Sequence, residues 1–97
     1  MLNTTGGAGT VEALDKAGIE KLAGGDRDKD SMIVLYAPWC QFCQGFEPTY
    51  TQVASDIASS DLRVAKYQAD IDRDYAETLG LKTYPTLIFL PKNSDKV

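Results

Sequence analysis

Ninety-seven residues is the length of one domain, and a chain near that size buries roughly two-thirds of the surface its unfolded form exposes, enough for one core without staples. Apolar residues at 43% and charged residues at 25% exclude a disordered or fibrous chain. A net charge of −4 with ten lysines and arginines excludes the basic stripe that neutralises phosphates, and the apolar runs fall far short of the roughly 18 residues of a membrane span. Neither nucleic acid nor membrane is an expected partner, and no signal-peptide pattern opens the chain.

Residues 1–9, rich in Gly and Thr and without periodicity, read as a flexible lead-in to a single domain over residues 10–97. Thr10–Leu14 alternates as a short strand does, and Asp15 is placed to cap a helix from Lys16 to Ala23 that buries Ile19 and Leu22. A single helix from Val11 fits the helical period nearly as well. Gly24-Gly25 ends the helix, and the alternating charges of residues 26–30 read as a solvated loop. Met32–Tyr36 is a buried strand of apolar and β-branched residues; it breaks at Ala37-Pro38 and delivers Cys40 and Cys43 to the first turn of a helix. Phe46, Tyr50, Val53, Ala54, Ile57 and Ala58 carry that helix on toward Ser59-Ser60, with Pro48 expected to kink it by removing a backbone donor. Leu62–Gln68 is strand-like, and Asp72–Leu79 is a short helix closed by Gly80. Leu81–Tyr84 is a loop, and Thr86–Leu90 is a last strand between Pro85 and Pro91. This β-α-β-α-β-α-β order predicts an α/β fold, a parallel sheet with helices on both faces and a final strand of either orientation.

The cysteine pair carries the chemistry. Unpaired N–H groups and the positive dipole end of a helix stabilise an anion, so Cys40 at that position is the candidate nucleophile and is expected to be the exposed thiol. Residues three apart on a helix are neighbours, which puts Cys43 within disulfide reach of Cys40 with little backbone movement. Competing readings are a structural disulfide or a shared metal. Zinc needs four donors, and with no histidine and no further cysteine a closed site could form only between two copies. A redox dithiol is the reading preferred, with no bound cofactor and no metal; a tight pair of this kind fits a reducing compartment.

Four spaced motifs, Tyr36-Ala-Pro-Trp-Cys-x-x-Cys43, Pro48, Val64-Ala-Lys66 and Tyr84-Pro85-Thr86, together resemble the thioredoxin superfamily over about Val11 to Leu90. The resemblance implies a three-layer α/β/α thioredoxin fold with a central mixed sheet. That fold continues with one more antiparallel strand and a helix, and only Pro91 to Val97 follow the last strand, so both are expected to be missing here. Within the superfamily, Val34–Gln44 and Phe89-Leu-Pro-Lys-Asn-Ser94 most resemble the C-terminal redox domain of plant-type adenylyl-sulfate (adenosine phosphosulfate) reductase. In that family the domain acts like a glutaredoxin, passing electrons from glutathione to a reductase catalytic domain in the same longer chain, in plastids. Glutathione or another thiol reductant is therefore the implied donor. The plastid location comes from the resemblance alone.

The resemblance also implies roles around the cysteines. Pro85 is expected to be a cis-proline opposite the pair, with the Tyr84 backbone free to pair with an incoming thiol-bearing chain. Trp39 is a core aromatic or a lid on the disulfide, and its place beside Cys40 favours the lid. Gln41 and Phe42, between the cysteines, belong to the substrate side, and Phe42 offers an apolar contact. Lys66 either snorkels to water or supports the pair with its charge. Two departures matter: Val34 stands where thioredoxins and protein disulfide isomerases usually carry a buried carboxylate, and no histidine lies between the cysteines. An isomerase acting on folding proteins, or a non-catalytic binding module using the groove around Trp39, Phe42 and Pro85, are the alternatives.

Overall fold

The computed structural model describes residues 10–57 and 61–92. In chain order they form β1 (Glu12–Leu14), α1 (Lys16–Ala23), β2 (Asp30–Tyr36), α2 (Gln41–Asp56), β3 (Leu62–Gln68), a 3₁₀ turn (Ala69–Asp72), α3 (Arg73–Thr78) and β4 (Thr86–Leu90). The sheet order is β1-β3-β2-β4. β1 and β2 both run parallel to β3, and β4 runs antiparallel to β2, so the sheet is mixed.

Each element follows from its residues. Of the two readings of Thr10–Leu14 the strand is correct, because Glu12 to Leu14 pair with Ala65 to Tyr67 of β3 and Asp15 then caps α1 by accepting the Gly18 amide at 2.7 Å. α3 ends where Gly80 takes φ +108°, a conformation that costs glycine nothing, and the amides of Gly80 and Leu81 close back on Glu77 and Ala76. Pro48 does not end α2: the helix runs on to Asp56 and buries Tyr50 and Ala54 beyond the proline. The Tyr50 hydroxyl donates toward the carbonyls of Ala65 (2.7 Å) and Met32 (3.1 Å), tying the helix to both central strands.

The two sheet faces hold two cores. Ile33, Leu35, Ala65, Tyr67, Ile88 and Leu90 face Ile19 and Leu22 of α1 and Ala76 of α3. Val34 and Val64 face Tyr50 and Ala54 of α2 on the other side, which gives the three layers. β4 alternates as a half-covered strand, with Ile88 and Leu90 buried and Leu87 and Phe89 about half exposed. The loop of residues 26–30 is not wholly solvated as expected. Arg27 is buried, and its guanidinium donates to the carbonyls of Leu22 (2.6 Å) and Pro91 (2.6 and 2.9 Å), joining the end of α1 to the end of β4. Residues 1–9, Ala58, Ser59-Ser60 and Asn93–Val97, to which the lead-in, the last turn of the long helix and part of the second motif were assigned, lie outside the described residues.

Candidate active site

β2 ends at Tyr36, and the turn through Pro38 and Trp39 brings Cys40 to the N-cap of α2 and Cys43 into its first turn. Cys40 Sγ accepts the Cys43 amide at 3.1 Å, the bond that an oxygen side chain makes at an ordinary helix cap. Exposure does not separate the two thiols, contrary to the expectation for Cys40: Cys40 is 6% exposed and Cys43 is 7%. Tyr84 explains the cover, since it packs on the cysteine cluster and its backbone carbonyl lies 3.5 Å from Cys40 Sγ. What separates them is electrostatic. Burial, with the contact to the Cys40 sulfur as the next cause, pushes the Cys43 thiol up from 9.0 to about 11, so Cys43 stays protonated at neutral pH.

The other expected residues surround this pair unevenly. The Tyr84–Pro85 peptide is cis. Trp39 is 65% exposed, meets the Tyr84 ring edge-on at 5.3 Å, and donates its indole N–H to Asp70 at 2.9 Å. Gln41 is exposed and Phe42 is 81% exposed, projecting from the outer side of the first helical turn. On the inner side is a cavity of about 300 Å³ whose wall includes Val34, Cys43, Glu47, Lys66 and Pro85. Lys66 places Nζ 3.5 Å from a Glu47 carboxylate oxygen and 5.6 Å from the centre of the Tyr36 ring. Among the described residues no group of three His, Cys, Asp or Glu side chains is arranged to hold a metal.

The thioredoxin family model matches residues 15–97. The chain belongs to the thioredoxin family. It is 42% identical over 86 residues to 5′-adenylylsulfate reductase 1, chloroplastic, of Arabidopsis thaliana, covering 86% of this chain and 18% of that protein. It is also 40% identical over 70 residues to protein disulfide isomerase-like 2-2 of Oryza sativa subsp. japonica, covering 71% of this chain and 19% of that one. The chain thus spans about a fifth of the length of these curated relatives. Among solved structures, the first thioredoxin domain of mouse protein disulfide-isomerase A4 superposes with a TM-score of 0.74 at 27% identity, over 91% of this chain and 63% of that one. Thioredoxin f from spinach chloroplast matches in fold with the same score, 0.74, at 24% identity, over 90% of this chain and 71% of that one.

A thioredoxin-family domain with this cysteine pair is a thiol-disulfide oxidoreductase. Three of its residues were not picked out from the sequence. Glu47 stands one helical turn beyond Cys43, a spacing that was visible, but on a helix otherwise read for its apolar positions. Asp70 meets Trp39 only because the sheet brings residues 31 apart together. Arg27 is hidden in a run of charges whose alternation signals solvent.

Proposed function

We propose that this chain is the redox module of a plant-type adenylyl-sulfate reductase, carrying electrons from glutathione through Cys40 and Cys43 to a reductase catalytic domain in the same longer protein, in a plastid. The observation that supports the reading is the identity to the Arabidopsis thaliana chloroplastic reductase, 42% over 86 residues, against 40% over 70 residues for the isomerase-like protein and 34% over 87 residues for protein disulfide-isomerase tigA of Aspergillus niger.

The geometry supplies a mechanism. The helix end directs the Cys43 amide at the Cys40 sulfur, where negative charge is held during attack. Cys40 thiolate attacks a disulfide sulfur of the acceptor, the first acceptor thiolate leaves, and a mixed disulfide remains on Cys40. Cys43 then attacks the Cys40 sulfur; the second acceptor thiolate leaves and the Cys40–Cys43 disulfide closes. Two electrons have passed to the acceptor, and two glutathione thiols restore the dithiol, leaving as oxidised glutathione. The Tyr84 carbonyl beside Cys40 and the exposed faces of Trp39, Gln41 and Phe42 are where the acceptor chain lies.

Reduction of hydroxyethyl disulfide by glutathione tests this reading. Wild type and Cys43→Ser are both expected to be active, since a second glutathione can resolve a mixed disulfide on Cys40, and Cys40→Ser is expected to be inactive. No turnover with glutathione in wild type contradicts the proposal. The likeness to an isomerase-like protein favours a second reading, a folding catalyst, and the reduction potential separates the two: about −180 mV for an isomerase and lower for a reductant.

A further inference from the structure

Cys43 is buried at the wall of the cavity and must lose its proton before it can resolve a mixed disulfide on Cys40. A group that takes the proton at neutral pH has to face the same space. The titratable side chains on the cavity wall are Tyr36 from β2, Cys43, Glu47 and Tyr50 from α2, and Lys66 from β3; the turn before β4 contributes Pro85. Phenols do not accept protons near neutral pH, and the Tyr50 hydroxyl is already donating to the Ala65 carbonyl. Lys66 is a cation, and Val34 presents only methyl groups. Glu47 is the one carboxylate on this wall.

Its placement suits the task. Residues four apart share a helix face with Cβ atoms roughly 6 Å apart, a gap that one water spans. The cavity has room for water, and its wall includes Cys43, Glu47 and Lys66, three residues whose polar groups can hydrogen-bond one. Lys66, with Nζ 3.5 Å from Glu47 Oε2, pairs with that carboxylate from the same cavity wall.

We infer that Glu47 is the proton acceptor for Cys43, acting through water in this cavity and positioned by Lys66. The inference rests on the redox reading of the cysteine pair. The Cys43 proton passes to the water, a proton from the water passes to Glu47, and the sulfur electron pair forms the bond to Cys40 Sγ. The bond from Cys40 to the acceptor sulfur breaks, its electrons leave with the acceptor thiolate, and Glu47 later returns the proton to solvent.

Mixing the reduced chain with excess chromogenic aromatic disulfide tests this, because the coloured thiolate is released once when Cys40 attacks and again when Cys43 closes the intramolecular bond. In Glu47→Gln the first phase is expected at the wild-type rate and the second slowed about a hundredfold at pH 7, the lower end of what a lost general base costs. The slowed phase should regain speed in proportion to hydroxide as pH rises, which a merely structural defect would not produce. Glu47→Asp should recover part of the rate, and Lys66→Gln should fall between wild type and Glu47→Gln. The Glu47 side chain is 64% exposed, so the substitution leaves the core intact. A Glu47→Gln second phase within about twofold of wild type from pH 6 to 8 overturns the inference and leaves the cysteine chemistry standing. Absence of both phases in wild type overturns the inference together with the functional reading beneath it.

Discussion

The backbone amide of Cys43 points at the sulfur of Cys40 from 3.1 Å, so the two thiols differ in charge environment although they are almost equally covered. Alkylation of the reduced chain at limiting reagent near pH 7 should label Cys40 first, because burial keeps Cys43 protonated. Peptide mapping after partial reaction reads the ratio directly. Preferential labelling of Cys43 would reverse the roles assigned to them.

The same burial links stability to pH. The Cys43 thiol rises from 9.0 to about 11 on folding, so between those values the folded chain binds more protons than the unfolded one. Stability from this source is fully present below pH 9 and is lost as pH rises toward 11. Tyr50 is pushed up by its own burial and adds a loss of the same sign at high pH, but it does so in both redox states. Urea midpoints of the reduced and oxidised chains, measured from pH 7 to 10, should therefore diverge, the reduced form falling more steeply. Parallel curves would show that Cys43 is not held protonated.

Arg27 should matter to stability out of proportion to its place in a charged loop. Its three short hydrogen bonds run to the carbonyls of Leu22 and Pro91, and hydrogen bonds to charged groups are worth about 1.5–3 kcal/mol. Arg27→Met keeps the length and apolar stem but strands those carbonyls. A loss of about 2 kcal/mol is expected, seen as a lower urea midpoint at unchanged slope. A change below about 0.5 kcal/mol, the usual surface value, would show that the bonds contribute nothing.

Leu87 and Phe89 pair across the sheet with Val34 and Met32 on the face that α2 covers, yet they are about half exposed. Among the described residues β4 pairs only with β2, leaving its other side as an edge. Exposed apolar edges promote association. Sedimentation of the 97-residue chain over rising concentration should show self-association, and Leu87→Ser with Phe89→Ser should abolish it. A chain that stays monomeric throughout would remove this surface from consideration.

The strands, the capped first helix and the cysteine placement were legible because each rests on local chemistry: alternation in Thr86–Leu90, the Asp15 cap, the glycine after Leu79. That α2 continues past Pro48 was legible too, since apolar spacing resumed at Tyr50 beyond it. Contacts between distant residues were not. Arg27 sits among acids that announce solvent, and one of its two carbonyl partners lies 64 residues away at Pro91. The cover over Cys40 arrives from Tyr84, 44 residues downstream, so no local signal could have corrected the expectation of an exposed thiol. Glu47 was legible only as a helical neighbour of Cys43; the Lys66 that faces it comes from a strand whose register had to be known first.

The chain has a single tryptophan, and it is Trp39, directly before Cys40, edge-on to Tyr84 and bonded through its indole nitrogen to Asp70. Indole emission responds to a neighbouring sulfur and to the polarity around the ring, and no second indole dilutes the signal. The domain consequently contains its own optical reporter. Opening and closing of the Cys40–Cys43 bond, and the arrival of an acceptor chain over Trp39, can be followed as light from one side chain, with no label to disturb either.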